Sequence, residues 1–144
     1  MAADLALNLP PDTSAPSLAR AAAKRCLEGK VSPGQLGELS LVITELVSNA
    51  VVHGRGEVVL RLQLAQGIVR GEVIDHGGGF EHEIRRRGPD EFSGRGLFLV
   101  DALTSRWGIH EGTTHVWFEI DARRDPPGRL DPLLGPDKRP EMLD

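Results

Sequence analysis

The segment from Glu57 to Ala65 carries apolar side chains at every second position, a pattern that strongly limits the fold. Between Glu57 and Ala65, every second side chain is apolar: Val58, Leu60, Leu62 and Leu64. Gln66-Gly67 then forms a tight link to a second strand-like segment at 68–74. Since successive side chains point to opposite faces of a strand, the pattern predicts a hairpin with one buried face. Other parts of the chain must cover that face.

Helical and strand-like segments flank this hairpin. They comprise an edge strand at 5–9, helices at 14–28 and from 32, a helix at about 96–104, and strands at 107–110 and 114–120. Ser32 is suited to cap the second helix and Pro33 to its first position, while Gly54 and Gly56 end it. This order predicts an α+β fold, an α/β two-layer sandwich whose mixed sheet is mainly antiparallel and carries helices on one face.

The length and composition indicate one domain. The 144 residues are 40% hydrophobic, enough for a single core, and we expect that domain to span residues 1–121. From Ala122 onward the chain holds five of its ten prolines, so 122–144 is predicted to be a flexible Pro-rich tail.

Charge and cysteine content exclude several classes of function. A net charge of −4 argues against direct nucleic-acid binding, which needs clustered Lys and Arg. The single Cys26 cannot form an internal disulfide, and no apolar stretch is expected to reach the roughly 20 residues that span a bilayer. The first residues lack the basic and apolar regions of a secretory signal. A cytoplasmic protein without membrane contact is expected.

The second helix carries Glu45, Asn49 and His53 at intervals of four residues. Successive members lie about 40° apart around a helix, so they form one slowly rotating stripe. The stripe has two interpretations: a ligand-binding line, or the solvated side of an amphipathic helix. Paired histidines at zinc-binding spacing are missing, and the stripe offers Mg²⁺ only the hard oxygen ligands of Glu45 and Asn49.

Two glycine-rich segments follow. Asp75 ends an apolar strand and is followed at once by Gly77, Gly78 and Gly79, which lets a ligand approach the backbone closely. Its carboxylate can accept a hydrogen bond from an exocyclic amine such as that of adenine, although Asp and Gly are also ordinary turn residues. Gly94-Arg95-Gly96 opens an apolar helix, an arrangement suited to phosphate. Neither segment fits GxGxxG in the required context, and the sequence contains no P-loop motif.

Taken in order, four motifs resemble the conserved boxes of the Bergerat-fold (GHKL) ATP-binding domains of gyrase, heat-shock chaperones, histidine kinases and mismatch-repair proteins. These motifs are Glu45-x3-Asn49, Asp75-x-Gly77-x-Gly79, Gly94-x-Gly96 and Gly112-Thr113-Thr114. Within that superfamily, the short chain and the run from Glu45 to Gly54, ELVSNAVVHG, resemble the stand-alone anti-sigma-factor serine kinases of bacteria. The resemblance covers residues 14 to 120.

The resemblance implies a role for each matching residue. Asn49 would ligate Mg²⁺, and Glu45 would be the general base that deprotonates a serine of a partner protein. Asp75 would bind the adenine amine, with Gly77 and Gly79 opening the floor beneath the base.

The remaining positions would surround the phosphates. The resemblance implies a lid at 80–93 and supporting roles for His53 and for Thr113 or Thr114, which would bind a water near adenine. It also implies a backbone cradle of four residues: Gly94, Arg95, Gly96 and Leu97. Some relatives place a phosphate-binding Arg near 91–92, where this chain has Glu91 and Phe92. Either Arg95 or the run 85–87 would substitute, unless that run is simply solvated.

The resemblance therefore implies a protein-serine kinase that uses ATP and Mg²⁺. Its expected partners are a sigma factor and an anti-sigma antagonist protein. Related kinases are commonly dimers, so the resemblance is compatible with a homodimer, although the sequence does not fix the oligomeric state. The alternative is a regulatory protein of the same fold that binds nucleotide without transferring phosphate.

Overall fold

The computed structural model describes residues 2–76, 97–110 and 115–123, which form three helices and five strands. In chain order these are β1 (Ala3–Leu9), α1 (Ala15–Leu27), α2 (Pro33–His53), β2 (Val58–Ala65), β3 (Ile68–Ile74), α3 (Leu97–Leu103), β4 (Arg106–Ile109) and β5 (Val116–Asp121). All of them correspond to elements that the sequence predicts, with boundaries shifted by one to a few residues.

The five strands form one sheet in the order β1-β2-β3-β5-β4, and each neighbouring pair is antiparallel. This confirms the predicted α+β class and the edge position of β1. The described strands include no parallel pair, so this part of the sheet is antiparallel throughout rather than mixed. Because β3 lies at the centre of the sheet, the residue that follows it, Asp75, emerges between β2 and β5.

The β2–β3 hairpin turns at Gln66 and Gly67, whose φ angles are 53° and 79°. Two consecutive positive φ values match the twist of the flanking strands, which is why two-residue hairpins favour such turns. The end of β5 is attached to the same turn, because the Ala122 N–H donates to the Gly67 carbonyl over 2.7 Å. Arg123 then pairs with the Asp121 carboxylate at 3.0 Å. The described residues end with this contact at Arg123, and the expected domain boundary at 121 stays a prediction.

Helix α2 begins and ends where local chemistry predicts. The Ser32 hydroxyl accepts from the Gln35 N–H, and the Gln35 amide oxygen accepts from the Ser32 N–H, each over 3.1 Å. This reciprocal pair is a capping box, which satisfies two backbone donors at the helix start. At the other end, the Gly54 N–H donates to the Ala50 carbonyl over 2.9 Å.

The sequence is expected to contain no apolar stretch as long as a membrane span, and helix α2 corrects this expectation. By the length and composition of its 21 residues alone, this helix could cross a membrane. In the fold, however, seven of its residues are buried against the rest of the domain: Gln35, Leu39, Val42, Ile43, Leu46, Val47 and Ala50. A core helix passes the same test of length and composition as a membrane span.

The helices cover one face of the sheet. Buried strand residues of that face, including Leu62 and Phe118, form one cluster with the apolar sides of α1 and α2. Gly71 pairs directly with Phe118 across β3 and β5, and the Phe118 ring occupies the space that a side chain at 71 would need. The core therefore lies in a single layer between sheet and helices.

The opposite face of the sheet carries a charged network. Arg70 lies 3.1 Å from Glu119 and 3.6 Å from Glu72, and Arg106 lies 3.6 Å from Glu119. The guanidinium groups of Arg70 and Arg106 also lie 4.7 and 5.4 Å from the ring centroid of Trp117, which is fully buried although none of the described helices covers it. Charged side chains thus shield an aromatic ring on the side of the sheet away from the helices.

Candidate functional site

The stripe on α2 lies at the border between core and solvent. Glu45, Asn49 and His53 are all half-buried. Val42 on one flank is fully buried, whereas Val52 on the other flank is 67% exposed. The stripe is therefore neither the solvated side of the helix nor part of its apolar face. Half-buried polar side chains at such a border can contact a ligand while keeping contact with water.

Glu45 and Asn49 have their polar atoms available for a ligand. No hydrogen bond or ion pair joins either side chain to another residue in the described part of the chain. His53, in contrast, does interact with its surroundings. A carboxylate and an amide one helical turn apart thus offer hard oxygen atoms of the kind that Mg²⁺ accepts, at a place that is partly shielded from water.

Asp75 is brought to the end of this stripe by the contact between two chain segments. Its half-buried carboxylate lies against the α-carbon of Gly54, the residue that caps α2. One residue later, the His76 N–H donates to the Arg55 carbonyl over 3.0 Å. The end of β3 and the end of α2 are therefore held together, and Asp75 lies beside the last turn of the helix that carries the stripe.

The resulting line of polar groups is long. His53 lies eight positions after Glu45, which corresponds to about 12 Å along the helix axis. A ligand that contacts both Asp75 and Glu45 must therefore be extended along α2. A nucleotide, with a base at one end and phosphates at the other, has this form.

The start of β5 lies beside the same end of β3. Val73 pairs with Val116, so the strand that follows the predicted Gly-Thr-Thr motif runs next to the strand that leads to Asp75. At the junction, the His110 N–H donates to the His115 carbonyl over 3.0 Å, and the two rings lie 4.2 Å apart. Burial lowers the pKa of His115, and the nearby Glu72 carboxylate partly opposes this effect. The end of the helix that carries the first motif, Asp75 of the second motif and the strand after the fourth motif thus meet at one end of β3.

Several predicted site residues lie outside the described residues. Leu97 is described, and it is the buried first residue of α3. The lid at 80–93, with its arginines at 85–87, is not described, and neither are seven predicted contact residues: Gly77, Gly79, Gly94, Arg95, Gly96, Thr113 and Thr114. Their roles stay predictions.

The structure adds residues that the sequence reasoning missed. The sequence indicates only a helix stop at Gly54, yet the Asp75 carboxylate fills the place where a side chain at 54 would lie. Arg20 of α1 donates to the Thr44 hydroxyl over 2.9 Å and so joins α1 to α2 one residue before Glu45. No local pattern marks either contact, since each joins residues at least 20 positions apart in the chain.

The described residues fit a magnesium–nucleotide complex better than a stand-alone metal centre. Within 2–76, 97–110 and 115–123, no group of three or more His, Cys, Asp or Glu side chains could hold a metal ion. Mg²⁺ is often held by one or two protein oxygens together with substrate phosphates, and the half-buried Asn49 amide carries an oxygen of this kind. Close packing at Gly54 also leaves the Asp75 carboxylate at the end of the line, where a base would lie.

Comparison with known proteins identifies a family. Residues 9–120 match the model of the histidine kinase-like ATPase domain. Two Mycobacterium tuberculosis proteins are each 33% identical over 88 residues, covering 54% of this chain. They are a sensor histidine kinase component, HK1, of strain ATCC 25618 / H37Rv and a probable sensor histidine kinase, HK, of strain CDC 1551 / Oshkosh.

The relatives are longer than the matched region. The alignment spans 52% of the first relative and 23% of the second. The similarity is therefore to only part of each relative. It does not assign the activity of the whole relative to this chain. The family model itself spans most of the described fold, from the end of β1 to Ile120 in β5. This chain belongs to the histidine kinase-like ATPase domain family, within the GHKL superfamily that its four motifs predicted.

Proposed function

We propose that this chain binds Mg·ATP along α2 and transfers its terminal phosphoryl group to a serine of a partner protein. The observation that carries the proposal is the half-buried line from Glu45 through Asn49 to Asp75, in a domain of the histidine kinase-like ATPase family. When bound, the nucleotide would supply an activated phosphoryl group whose charge the metal ion neutralises.

Each side chain has a task that its chemistry permits. The Asp75 carboxylate is an acceptor and would bind the amine of adenine, which distinguishes adenine from guanine. The Asn49 amide oxygen would hold the metal ion near the phosphates. Glu45 would accept the proton of the attacking hydroxyl, since a carboxylate within hydrogen-bond reach can act as a general base.

The choice of partner rests on the sequence resemblance. The run from Glu45 to Gly54 resembles the anti-sigma-factor serine kinases. We therefore propose a serine of an anti-sigma antagonist as the acceptor, a sigma factor as the bound protein, and a cytoplasmic location in which this pair controls transcription.

A second candidate follows from the relatives themselves. Both are sensor histidine kinases by name, which favours a histidine as the acceptor. The two candidates differ in the product, because phosphohistidine is lost in acid whereas phosphoserine survives. The third candidate, a nucleotide-binding regulator, predicts binding without any phosphorylated product.

The test combines calorimetry with phosphoryl transfer from labelled ATP to the cognate antagonist. We expect Mg·ATP binding that Asp75→Ala abolishes. We also expect acid-stable labelling that Glu45→Gln lowers by about 10²–10⁴-fold while ATP binding is retained. Absence of binding would refute the nucleotide site, and binding without transfer would refute the kinase. Equal transfer by Glu45→Gln would refute the role of Glu45.

A further inference from the structure

The backbone conformation at position 54 does not require glycine. Its φ and ψ are −93° and −163°, an extended conformation that any residue adopts. In this respect it differs from Gly29, Gly56 and Gly67, whose φ angles are 82°, 68° and 79° and favour glycine. The demand for glycine at 54 must come from its surroundings.

Those surroundings are two oxygen-bearing groups. A β-carbon at 54 would collide with the Asp75 carboxylate and with the Ala50 carbonyl oxygen. The Ala50 carbonyl already accepts the Gly54 N–H and belongs to the rigid last turn of α2. The carboxylate therefore lies in a recess whose wall is backbone, and the missing side chain of Gly54 creates the space for it.

We infer that Gly54 is a positioning residue that determines adenine specificity through Asp75. This inference rests on the proposed nucleotide-binding function. With a methyl group at 54, the carboxylate would have to leave its recess, and its acceptor oxygens would no longer be aligned with the base. Interactions made by the phosphates along α2, beginning at Asn49, would be retained.

The first test measures nucleotide selectivity. We expect Gly54→Ala to weaken Mg·ATP binding by about tenfold or more, because a hydrogen bond to a charged group is lost. Binding of Mg·GTP, which lacks the amine at that position, should change much less, so the ratio of the two Kd values should fall toward one. A merely structural role would lower both affinities together and would overturn the inference.

The second test is independent of nucleotide. The free energy of unfolding in urea is measured for Gly54→Ala, Asp75→Ala and the double variant. If the carboxylate is the obstacle, Gly54→Ala will destabilise the wild-type background more than the Asp75→Ala background, where only the Ala50 carbonyl remains. Equal losses in both backgrounds would overturn the inference.

A matched control is available in the same helix. A β-carbon at Gly37 meets nothing within 4 Å, so Gly37→Ala should leave both Kd values unchanged. The two tests also separate the inference from the proposed function. If the wild type binds neither nucleotide, the proposed function and the specificity role both fail, whereas the urea cycle still decides whether Gly54 sets the position of Asp75.

Discussion

Arg20 of α1 donates a 2.9 Å hydrogen bond to the hydroxyl of Thr44 in α2, and that hydroxyl donates in turn to the Ser40 carbonyl over 2.7 Å. The contact joins the two helices at the level of the candidate site. A charged donor makes such a bond stronger than one between neutral groups.

Thr44→Val should therefore destabilise the domain by about 1–3 kcal/mol, because the partly buried Arg20 guanidinium loses its acceptor. Thr44→Ser keeps the hydroxyl and should cost clearly less. Urea unfolding of Thr44→Val, Arg20→Ala and the double variant checks the pair. Additive losses would show that the two side chains do not stabilise one another.

Asn49→Ala should remove the dependence of ATP binding on magnesium. In the wild type, chelation of Mg²⁺ should weaken ATP binding, since the metal ion joins Asn49 to the phosphates. In the variant, binding with metal should fall by about tenfold or more, and chelation should then have little further effect. Calorimetry with and without a chelator measures both values. A variant that keeps the full magnesium dependence would refute the metal role of Asn49.

Gly71→Ala should destabilise the sheet by about 1–3 kcal/mol, because the Phe118 ring occupies the position of the new methyl group. The loss should be smaller in a Phe118→Leu background, where the ring is absent. Denaturant midpoints of the four proteins give the coupling between the two positions. An identical loss in both backgrounds would contradict the packing seen here.

The stability of the domain should depend on pH through His115. Burial lowers its pKa below the usual 6.5, so as pH falls through 6.5 the unfolded chain takes up a proton that the folded chain does not bind. Stability should therefore rise with pH across the window from the lowered pKa of His115 to about 6.5.

His115→Gln should flatten this slope, as measured by urea unfolding between about pH 5 and 7.5, a range that includes the usual His pKa. The Glu72 carboxylate lies 3.6 Å from His115 and raises its pKa, so Glu72→Gln should extend the window to lower pH while its upper limit stays at about 6.5. An unchanged slope in His115→Gln would assign the pH dependence to other groups.

Much of the fold could be predicted because its signals are local. The β2–β3 hairpin follows from the apolar residues at every second position of β2 and from a two-residue turn at Gln66-Gly67. The start of α2 follows from Ser32-Pro33, although the capping role of Gln35 became evident only in the structure. Each of these features depends on residues within one turn or one strand pair.

The candidate site could be predicted only in part. The order of the motifs predicts a nucleotide pocket, with Glu45, Asn49 and Asp75 among its site residues. It did not tell whether the α2 stripe faces solvent, because a helical wheel shows which residues share a side but not what covers that side. The structure places the stripe at the edge of the core, between the fully buried Val42 and the exposed Val52.

By itself, the sequence determined the elements, their order and the chemical types available at the site, since these depend on short-range periodicity and on residue identity. Only the tertiary structure decided that the Asp75 carboxylate would fill the space left by the missing side chain of Gly54. Those residues are separated by a turn and a complete hairpin, and their contact arises from the packing of β3 against the end of α2. Steric exclusion of this kind depends on three-dimensional distance, which periodicity along the chain does not contain.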